Sequence, residues 1–438
     1  MARILVSDGE HRSSLAVVRS LGRAGHHVVV TGRDYRCLAA ASRYCAELRQ
    51  LPSAEVDPVR YGAVLEWLVK WEEIDVVVPT TDASTLACLD LRERAPRTTV
   101  PLPTRDAYET ATNKRRLLEV AGALGLPVPR QHVVGHPAEG PACAVDFARG
   151  VGYPVILKPS RSLARGPIGA RWFGVQIANG PNALAEGLRA LDPMAYPVLV
   201  QERIVGDGLG TFLLMRDGRT LARFGHKRLR ELPPTGGMST YRESARRKDI
   251  EEYAERLLSH LGWTGVAMVE FKEDRATGTP YLMEVNARFW GSLQLAIDAG
   301  VDFPEMLVRS ALGKDVEPVT TYREGVRSRW LMGDLDYLIW MLRAPPGVRR
   351  IHPMLPSRAR AVGRVLVPWR PREHHEVLRL SDPGPFLAES ASWARRMLRR
   401  AHRRTRTSRE RRARPRRATT RSARASLANL QMPFLRGR

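Results

Sequence analysis

One strand-like segment, centred near residue 285, combines side chains that suit phosphate chemistry. In a strand, alternate side chains share a face, so Glu284, Asn286 and Arg288 are expected to project together. Met283 and Val285 are expected on the opposite face. Carboxylate and amide oxygens are ligands that Mg²⁺ prefers, and a guanidinium suits phosphate or carboxylate oxygens. The alternative is a solvated strand face with incidental salt bridges.

A second carboxylate strengthens the metal interpretation. Glu270 lies near the end of the apolar segment Gly265–Phe271. If this strand pairs antiparallel with the one that carries Glu284, the two carboxylates come together, and like charges that close repel unless a cation lies between them. The sequence therefore predicts a Mg²⁺ (or Mn²⁺) site formed by Glu270, Glu284 and Asn286.

Two lysines are candidates for binding phosphate. Lys158 closes the apolar strand Val155–Pro159, and the loop 160–169 that follows is rich in small residues whose backbone N–H groups can approach a phosphate. Its glycine spacing matches neither the P-loop nor the dinucleotide fingerprint, so a surface loop is the alternative. Lys114 begins a predicted helix, where a solvated lysine is the alternative.

Polar residues also end the apolar strand that starts at Val198. Gln201 and Glu202 could hydrogen-bond the amino edge of a purine and the hydroxyls of a ribose, and a capped strand end is the alternative. Further along, Lys227, Arg228 and Arg230 are candidates for an anionic substrate, with a charged strand face as the equal alternative.

The elements that must position these residues follow two patterns. Up to about residue 110, strands alternate with helices, which indicates an α/β domain with a parallel sheet. Segments 111–195 and 196–313 mix strands and helices as α+β units. A helix predicted from near Thr112 to Leu124 ends before Gly125 and Pro127. Residues 314–392 show a weaker, proline-rich pattern, in which His374, His375 and Glu376 are expected in a polar loop without a metal.

The chain has 438 residues and a formal net charge of +24, and much of that charge lies near the C-terminus. Between residues 395 and 424 there are fifteen arginines and one acid. Such a tail is either a solvated extension or a tether to an anionic membrane surface or nucleic acid, although it has no aromatic residues for base stacking. The four cysteines lack metal-ligand spacing, and no apolar run approaches the ~20 residues of a bilayer span, so a cytoplasmic protein is expected.

The order of these motifs is more specific than any one of them. The sequence resembles the ATP-grasp superfamily, in its carboligase-like or carbamoyl-phosphate-synthase-like branch. The resemblance lies in the succession of a lysine, a strand that ends in a lysine and a loop, a strand that ends in Gln-Glu, a Glu, and the motif Glu-x-Asn-x-Arg. The phrases LKPS, VQERIVGDG and MEVNARFWGS carry the resemblance over about residues 1–313. It implies an N-terminal Rossmann-like (pre-ATP-grasp) domain at 1–110, a lid subdomain at 111–195 and a metal-bearing subdomain at 196–313. Beyond them lie a region of unknown role at 314–392 and a basic extension, disordered or helical, at 393–438.

The resemblance also implies roles for individual residues. ATP phosphates would contact Lys114, Lys158 and Ser160, with the loop 160–169 closing over them. Adenine would contact Gln201 and the backbone near Ile204, and the ribose would contact Glu202 or Asp207. Arg288 would contact the transferring phosphoryl group or the acyl phosphate. One position departs from the pattern, because Met268 stands where some relatives carry an arginine. An anionic substrate would then contact Lys227, Arg228, Arg230 or Ser292.

The predicted function is that of an ATP- and Mg²⁺-dependent ligase, with Lys158 and Arg288 as catalytic residues. It would convert a small-molecule carboxylate into an acyl phosphate and couple it to an amine or another nucleophile. Two other classes stay open: a nucleotide-binding regulatory protein without turnover, and a polyanion- or membrane-surface-binding protein that acts through the tail. A homodimer is compatible with the sequence.

Overall fold

The computed structural model describes residues 1–166, 169–234, 236–345, 348, 355–367 and 371–413, with side chains up to residue 400. The first elements alternate as predicted and form a parallel sheet of order β3-β2-β1-β4. They are β1 (Arg3–Val6), α1 (Arg12–Arg23), β2 (His27–Gly32), β3 (Glu47–Gln50), α2 (Pro58–Trp71), β4 (Val76–Val78) and α3 (Asp82–Arg94). Strand β3 was not predicted, because its residues Glu-Leu-Arg-Gln lack an apolar run.

Local sequence explains where the helices of this domain begin. Asp57 accepts a hydrogen bond from the backbone N–H of Arg60, and Pro58 occupies the first turn of α2. Thr81 forms a reciprocal capping box with Ser84 at the start of α3. Helix α3 begins four residues after the end of β4, so its first turn lies at the carboxyl edge of the parallel sheet.

The helix predicted at 112–124 is present within two residues of these limits, and a second helix that was not predicted precedes it. Helices α4 (Arg105–Thr112) and α5 (Lys114–Ala123) meet at Asn113, whose side chain accepts hydrogen bonds from the first backbone N–H groups of α5. Asparagine favours a cap over a helix interior, so it breaks the helix where the apolar periodicity continues. The break places Lys114 at the first position of α5.

The next unit is an antiparallel sheet of order β5-β10-β6-β9 with two helices on one face. Its core includes Val155, Leu157, Val198 and Val200. The segment 160–169, predicted as a loop, contributes to a hairpin of β7 and β8. The elements are β5 (Gln131–Val134), α6 (Ala142–Val151), β6 (Val155–Pro159), β7 (Leu163–Gly166), β8 (Gly169–Trp172), β9 (Gln176–Ala178), α7 (Pro181–Ala190) and β10 (Val198–Glu202).

A seven-stranded sheet of order β15-β14-β11-β12-β13-β16-β17 forms the largest unit. Its first elements are β11 (Gly206–Arg216), β12 (Arg219–Leu232), β13 (Met238–Ser244), α8 (Lys248–His260), β14 (Gly265–Asp274), β15 (Pro280–Asn286), α9 (Leu293–Ala299) and α10 (Phe303–Ala311). Region 314–392 adds β16 (Arg327–Arg329), α11 (Leu331–Arg343), α12 (Arg358–Leu366) and β17 (Glu373–His375). This region therefore extends the sheet of the predicted 196–313 subdomain.

The placement of the His-His-Glu sequence corrects the prediction of a polar loop. His374 and His375 belong to β17, which pairs in parallel with β16, and Glu376 is buried. Glu376 forms ion pairs with Arg12 of α1 and Arg242 of β13. Buried charge of this kind requires a partner, so Glu376 joins the C-terminal region to the N-terminal domain and to the large sheet.

The basic tail begins inside a helix, α13 (Gly384–Ala413), and residues 414–438 of the predicted tail lie outside the described residues. Within the described part of the chain, no helix combines the length and the apolar composition needed to cross a bilayer. Binding of the tail to an anionic surface stays a prediction from its charge.

Two glycine substitutions test how the large sheet is packed. A Cβ at Gly206 would overlap the carbonyl oxygen of Glu273 on the neighbouring strand, whereas a Cβ at Gly62 in α2 meets nothing within 4 Å. We expect Gly206→Ala to lower the free energy of unfolding by about 1–3 kcal/mol. Gly62→Ala should raise it by about 0.5–1 kcal/mol, since alanine favours a helix interior. Urea unfolding measures both changes, and equal stabilities would contradict this packing.

Candidate functional site

The two predicted metal-binding acids lie directly opposite each other. Strands β14 and β15 pair antiparallel, and Glu270 is aligned with Glu284. The Asn286 side chain donates a hydrogen bond to Glu270 Oε1 at 3.0 Å. The predicted pairing is therefore confirmed, and Glu270, Glu284 and Asn286 share one face of the large sheet. We call Glu270 and Glu284 the acid pair.

A β-bulge beside the acid pair changes the environment of Met283. The register shifts between Glu270 and Phe271, so Phe271 pairs with Leu282 and Met283 is the extra residue. The Met283 Sδ lies 3.7 Å from Lys158 Nζ. The prediction that Met283 faces away from Glu284 is wrong, because a bulge interrupts the alternation of a strand. Val285 is buried in the core, as predicted.

Lys114 connects three separate segments at the acid pair. Its Nζ lies 3.2 Å from Glu284 Oε2 and donates a hydrogen bond of 2.7 Å to Ser162 Oγ. Its backbone N–H donates to the Ser160 carbonyl at 2.7 Å. Lys114 is only 6% exposed, so the solvated helix lysine considered as the alternative is excluded. The start of α5 is thus joined both to the loop after Lys158 and to β15.

Lys158 lies on the open face of the four-stranded sheet. Ile156 and Lys158 alternate with Val155 and Leu157, which pack in the core on the helical side. Gln201 is aligned with Ile156, and Leu199 with Lys158, so these side chains share the open face. The space between this face and the acid pair is called the cleft.

Burial and charge shift the pKa values of the cleft residues in different directions. Burial lowers the pKa of Lys158 to about 8, although Glu284 acts in the opposite sense. Burial would raise the pKa of Glu284, but Lys114 and Lys158 outweigh it and hold the pKa at about 2. Burial raises the pKa of Glu270, and the nearby Arg228 only partly offsets it. Perturbed pKa values that converge in a cleft are typical of functional sites.

Two arginines form ion pairs with acidic side chains at the cleft. Arg228 of β12 forms an ion pair with Glu270. Arg288 lies 3.2 Å from Asp82 of the N-terminal domain and donates a hydrogen bond of 3.3 Å to Asn286 Oδ1. Burial would lower the pKa of Arg288, but Asp82 outweighs it and raises the pKa. Arg288 therefore joins the N-terminal domain to the acid pair.

The cleft fits a divalent cation together with a polyphosphate. Two carboxylates and an amide oxygen are the hard ligands that Mg²⁺ uses when phosphate oxygens supply the rest. Lysine and arginine side chains at 114, 158, 228 and 288 surround them with positive charge. Within the described ranges, no group of three or more His, Cys, Asp or Glu side chains is placed to bind a metal ion.

The residues predicted for adenine and ribose lie at the end of β10 and just beyond it. Gln201 is buried and donates a hydrogen bond of 2.7 Å to Gln131. Both carboxylate oxygens of Glu202 accept hydrogen bonds from Arg130, at 2.8 Å each. Ile204 is buried too. Asp207 lies 2.7 Å from Lys227. Burial would raise the pKa of Asp207, but Lys227 and Arg275 outweigh burial and lower the pKa.

Of the predicted substrate residues, the structure brings only Arg228 to the acid pair. Lys227 precedes it on β12, so it points to the opposite face, where it pairs with Asp207. A bulge between Arg228 and Arg230 turns Arg230 towards Asp334, with which it forms an ion pair. Ser292 is buried, and its Oγ lies 3.3 Å from Nδ1 of His226.

Sequence reasoning missed two residues of this region. Gly210 is aligned with Glu270 on one side and with His226 on the other, so His226 continues the row of the acid pair. Its position two residues before Arg228 was the available signal. Asp82, which pairs with Arg288, gave no such signal, because it lies about 200 residues away in the chain and in another domain.

The β7–β8 hairpin packs on the N-terminal domain beside the cleft. The Ala170 backbone N–H donates to the Glu55 carbonyl at 2.8 Å, and Trp172 Nε1 donates to Glu55 Oε1 at 3.0 Å. Ser162, just before the hairpin, accepts the hydrogen bond from Lys114. The segment predicted to cover phosphate is thus anchored at the cleft on one side and at the N-terminal domain on the other.

Comparisons with known proteins agree with this geometry. The profile of the family described as "ATP-grasp in the biosynthetic pathway with Ter operon" matches residues 198–333. The carbamoyl phosphate synthase large chain of Thermotoga sp. (strain RQ2) is 23% identical over 382 residues, which cover 81% of this chain and 32% of that protein. The chain thus spans about a third of the length of the curated relatives it matches.

Solved structures show the same fold at low sequence identity. The biotin carboxylase domain of the Hydrogenobacter thermophilus 2-oxoglutarate carboxylase has a TM-score of 0.60 and 16% identity, covering 74% of this chain and 73% of that one. The L-amino acid ligase of Bacillus licheniformis has a TM-score of 0.56 and 17% identity, covering 71% and 74%. The chain is thus similar to an ATP-grasp family over residues 198–333 and shares its fold with these solved structures.

Proposed function

We propose that this protein is an ATP-dependent ligase that converts a carboxylate into an acyl phosphate and transfers the acyl group to an amine or a similar nucleophile. One observation carries the proposal: the acid pair faces Lys114 and Lys158 across a single cleft. Phosphoryl transfer depends mainly on positioning and on neutralising charge, and this cleft offers groups for both.

The basic residues of the cleft are the proposed phosphate contacts, and the acidic residues are the proposed metal ligands. Lys114 and Lys158 hold phosphate oxygens, and Arg288, positioned by Asp82, stabilises charge that develops on the transferring phosphoryl group. Glu270, Glu284 and Asn286 would hold Mg²⁺, which neutralises phosphate charge when it is bound. Nucleotide phosphates would compete with Glu284 for Lys114, so that the Glu284 carboxylate would be released from Lys114 to hold Mg²⁺.

The proposed reaction balances in two steps. A carboxylate oxygen of the substrate attacks the γ-phosphorus of ATP, the bond to the β-phosphate oxygen breaks, and ADP leaves. The amine nitrogen then attacks the acyl carbon, the carbon–oxygen bond to phosphate breaks, and inorganic phosphate and a proton are released. Because water also attacks an acyl phosphate, we propose that the β7–β8 hairpin beside the cleft limits the access of water to the intermediate.

The open face of the four-stranded sheet is the proposed place for the nucleoside. Ile156 and Leu199 give it an apolar floor, and Gln201 gives it an amide for the adenine edge. Glu202 is the proposed ribose contact, and it would exchange one of its hydrogen bonds to Arg130 for a hydroxyl, whereas Asp207, predicted as the alternative, pairs with Lys227 on the face opposite the acid pair.

The names of the relatives narrow the class of substrates. The Hydrogenobacter structure holds MgADP and bicarbonate, and the Bacillus protein is an L-amino acid ligase. Carboxylates and amines are accordingly the reactants we propose. Arg228 is the one residue of the predicted substrate set that contacts the acid pair, so it is the proposed contact for the substrate carboxylate.

A two-dimensional screen of carboxylates against amines, read by release of both ADP and phosphate, tests the proposed function. We expect ADP release only when a matching carboxylate is present, and a ligated product by mass spectrometry when the amine is added. ATP binding without ADP release across the screen would instead indicate a nucleotide-binding regulatory protein.

A further inference from the structure

The surface of the C-terminal region is positively charged, because its acids are turned inward. The stretch 331–400 contains six acids, thirteen arginines and no lysine. Five of the acids are buried and the last is half-buried, and they are Asp334, Asp336, Glu373, Glu376, Asp382 and Glu389. Seven of the arginines that the structure describes are exposed, and they are Arg343, Arg358, Arg360, Arg364, Arg372, Arg395 and Arg399.

Each of the six acids contacts a group other than these exposed arginines. The partners are Arg329 for Asp334, Trp393 for Asp336, Tyr241 for Glu373, Arg242 for Glu376, Arg19 for Asp382 and Trp330 for Glu389. Buried carboxylates need such partners, so they are not available to the surface. The exposed arginines therefore face solvent without a compensating acid from their own region.

Helix α13 (Gly384–Ala413) is docked on the fold along one side. Trp393 Nε1 donates a hydrogen bond of 3.1 Å to Asp336 on α11, and Glu389 accepts one of 2.7 Å from Trp330 Nε1. Phe386 and Trp393 also pack against the core. These contacts fix the rotation of the first turns of α13 and so determine which of its side chains face solvent.

The solvent side of the same turns is apolar. Leu387 and Leu398 are 65% and 63% exposed, and Ala391 and Ala394 between them are exposed too. At 3.6 residues per turn, these four positions lie within about 60° of one another around the helix. We call them the outer stripe. The exposed Arg395 and Arg399 follow on one side of it, an arrangement typical of helices that lie at a membrane interface.

Charge and residue type favour one kind of partner for the outer stripe. A bilayer with anionic lipid offers acyl chains to the leucines and phosphates to the arginines, whose long side chains can reach the headgroups. A second copy of the chain would bring two positively charged surfaces together. Nucleic acid would leave the leucines without a contact, and the aromatic rings of Trp330, Trp340 and Trp393, which could stack on bases, pack inward.

We propose that the outer stripe of α13 and the arginines beside it bind the surface of a bilayer that contains anionic phospholipid. The helix would lie in the plane of the interface, with Leu387 and Leu398 towards the acyl chains and Arg395 and Arg399 at the phosphates. The arginine-rich sequence after residue 400 adds charge of the same sign. This assignment goes beyond the proposed ligase function and does not depend on it.

Flotation of the full chain with lipid vesicles tests the assignment. One set of vesicles is pure phosphatidylcholine, and in the other about a third of the lipid is phosphatidylglycerol. We expect binding to the anionic set to be at least about tenfold tighter, and to weaken as salt is added. Replacing Leu387 and Leu398 together with asparagine should weaken it by at least about tenfold, because the apolar contact is lost. Replacing Arg395 and Arg399 together with glutamine should weaken it by about tenfold.

Matched substitutions elsewhere on the surface serve as controls. Val59→Asn and Arg97→Gln change exposed residues of the N-terminal domain and should leave vesicle binding unchanged. Far-UV circular dichroism checks that each variant is folded, which is expected because every substituted residue is exposed. Equal binding to the two vesicle sets, or no binding to either, would overturn the assignment. Full binding by the variant that lacks both leucines would also overturn it, since charge alone would then explain the affinity.

Discussion

Replacing Glu284 with glutamine is expected to lower ATP turnover by on the order of 10³-fold, because the loss of a metal-binding carboxylate removes several kcal/mol of charge stabilisation. Glutamine keeps the shape of the side chain, so the pairing of β14 and β15 persists. The Glu284 carboxylate is also the anion that faces Lys114 at 3.2 Å, and without it two lysines face each other with less compensation. The measurement is ADP release at saturating ATP and Mg²⁺.

Two further variants make this prediction specific. Glu270→Gln should behave like Glu284→Gln, since both belong to the acid pair. Glu252→Gln changes an exposed acid on α8 and should leave turnover unchanged. Far-UV circular dichroism confirms that each variant is folded. Turnover by folded Glu284→Gln at the wild-type rate would remove the acid pair from the reaction.

The pH dependence of kcat/KM for ATP is expected to show an alkaline limb near pH 8 that belongs to Lys158. Burial lowers the pKa of this lysine to about 8, so its positive charge is present below pH 8 and is lost as the pH rises above it. A phosphate contact needs that charge. In this limb kcat/KM should fall about tenfold for each pH unit, and kcat/KM reports the free enzyme, in which the shifted pKa applies.

Substitution identifies the group that titrates. Lys158→Arg keeps a charge at every accessible pH, so it should remove the limb even if it lowers the plateau. Lys158→Met should lower kcat/KM by about 10² at neutral pH, because it removes a charge-assisted contact to phosphate. Lys70→Arg on the surface of α2 is the matched control. A limb that stays near pH 8 in Lys158→Arg would assign it to another group.

Much of the fold follows from local patterns in the sequence. The short, mainly apolar strands β1, β2 and β4 and the helices between them are strong signals, and the structure has the predicted alternation of strands and helices. Strand β3 and the strands that extend the large sheet were missed, because polar residues such as Glu47 and Arg327 form part of them. Their place depends on pairing with distant strands, which local propensity does not encode.

The candidate site was also predicted where local patterns determine it and was missed where distant contacts determine it. Residues on a single strand, such as Glu284 and Asn286, were placed together correctly by alternation, and one antiparallel pairing added Glu270. Alternation failed where a bulge occurs, which turned Met283 and separated Arg230 from Arg228. The pairing of Asp82 with Arg288 depends on a contact between domains, and such a contact leaves no periodic signal in the chain.

The proposed ligase activity depends on the cleft that holds the acid pair and the two lysines. Its most direct test is a crystal structure of the full chain with Mn²⁺ and a non-hydrolysable ATP analogue, in which anomalous scattering locates the metal. We predict the ion in direct contact with carboxylate oxygens of Glu270 and Glu284, with the analogue's phosphates against Lys114 and Lys158. A nucleotide bound elsewhere, or a metal that contacts neither carboxylate, would contradict the proposed nucleotide and metal site.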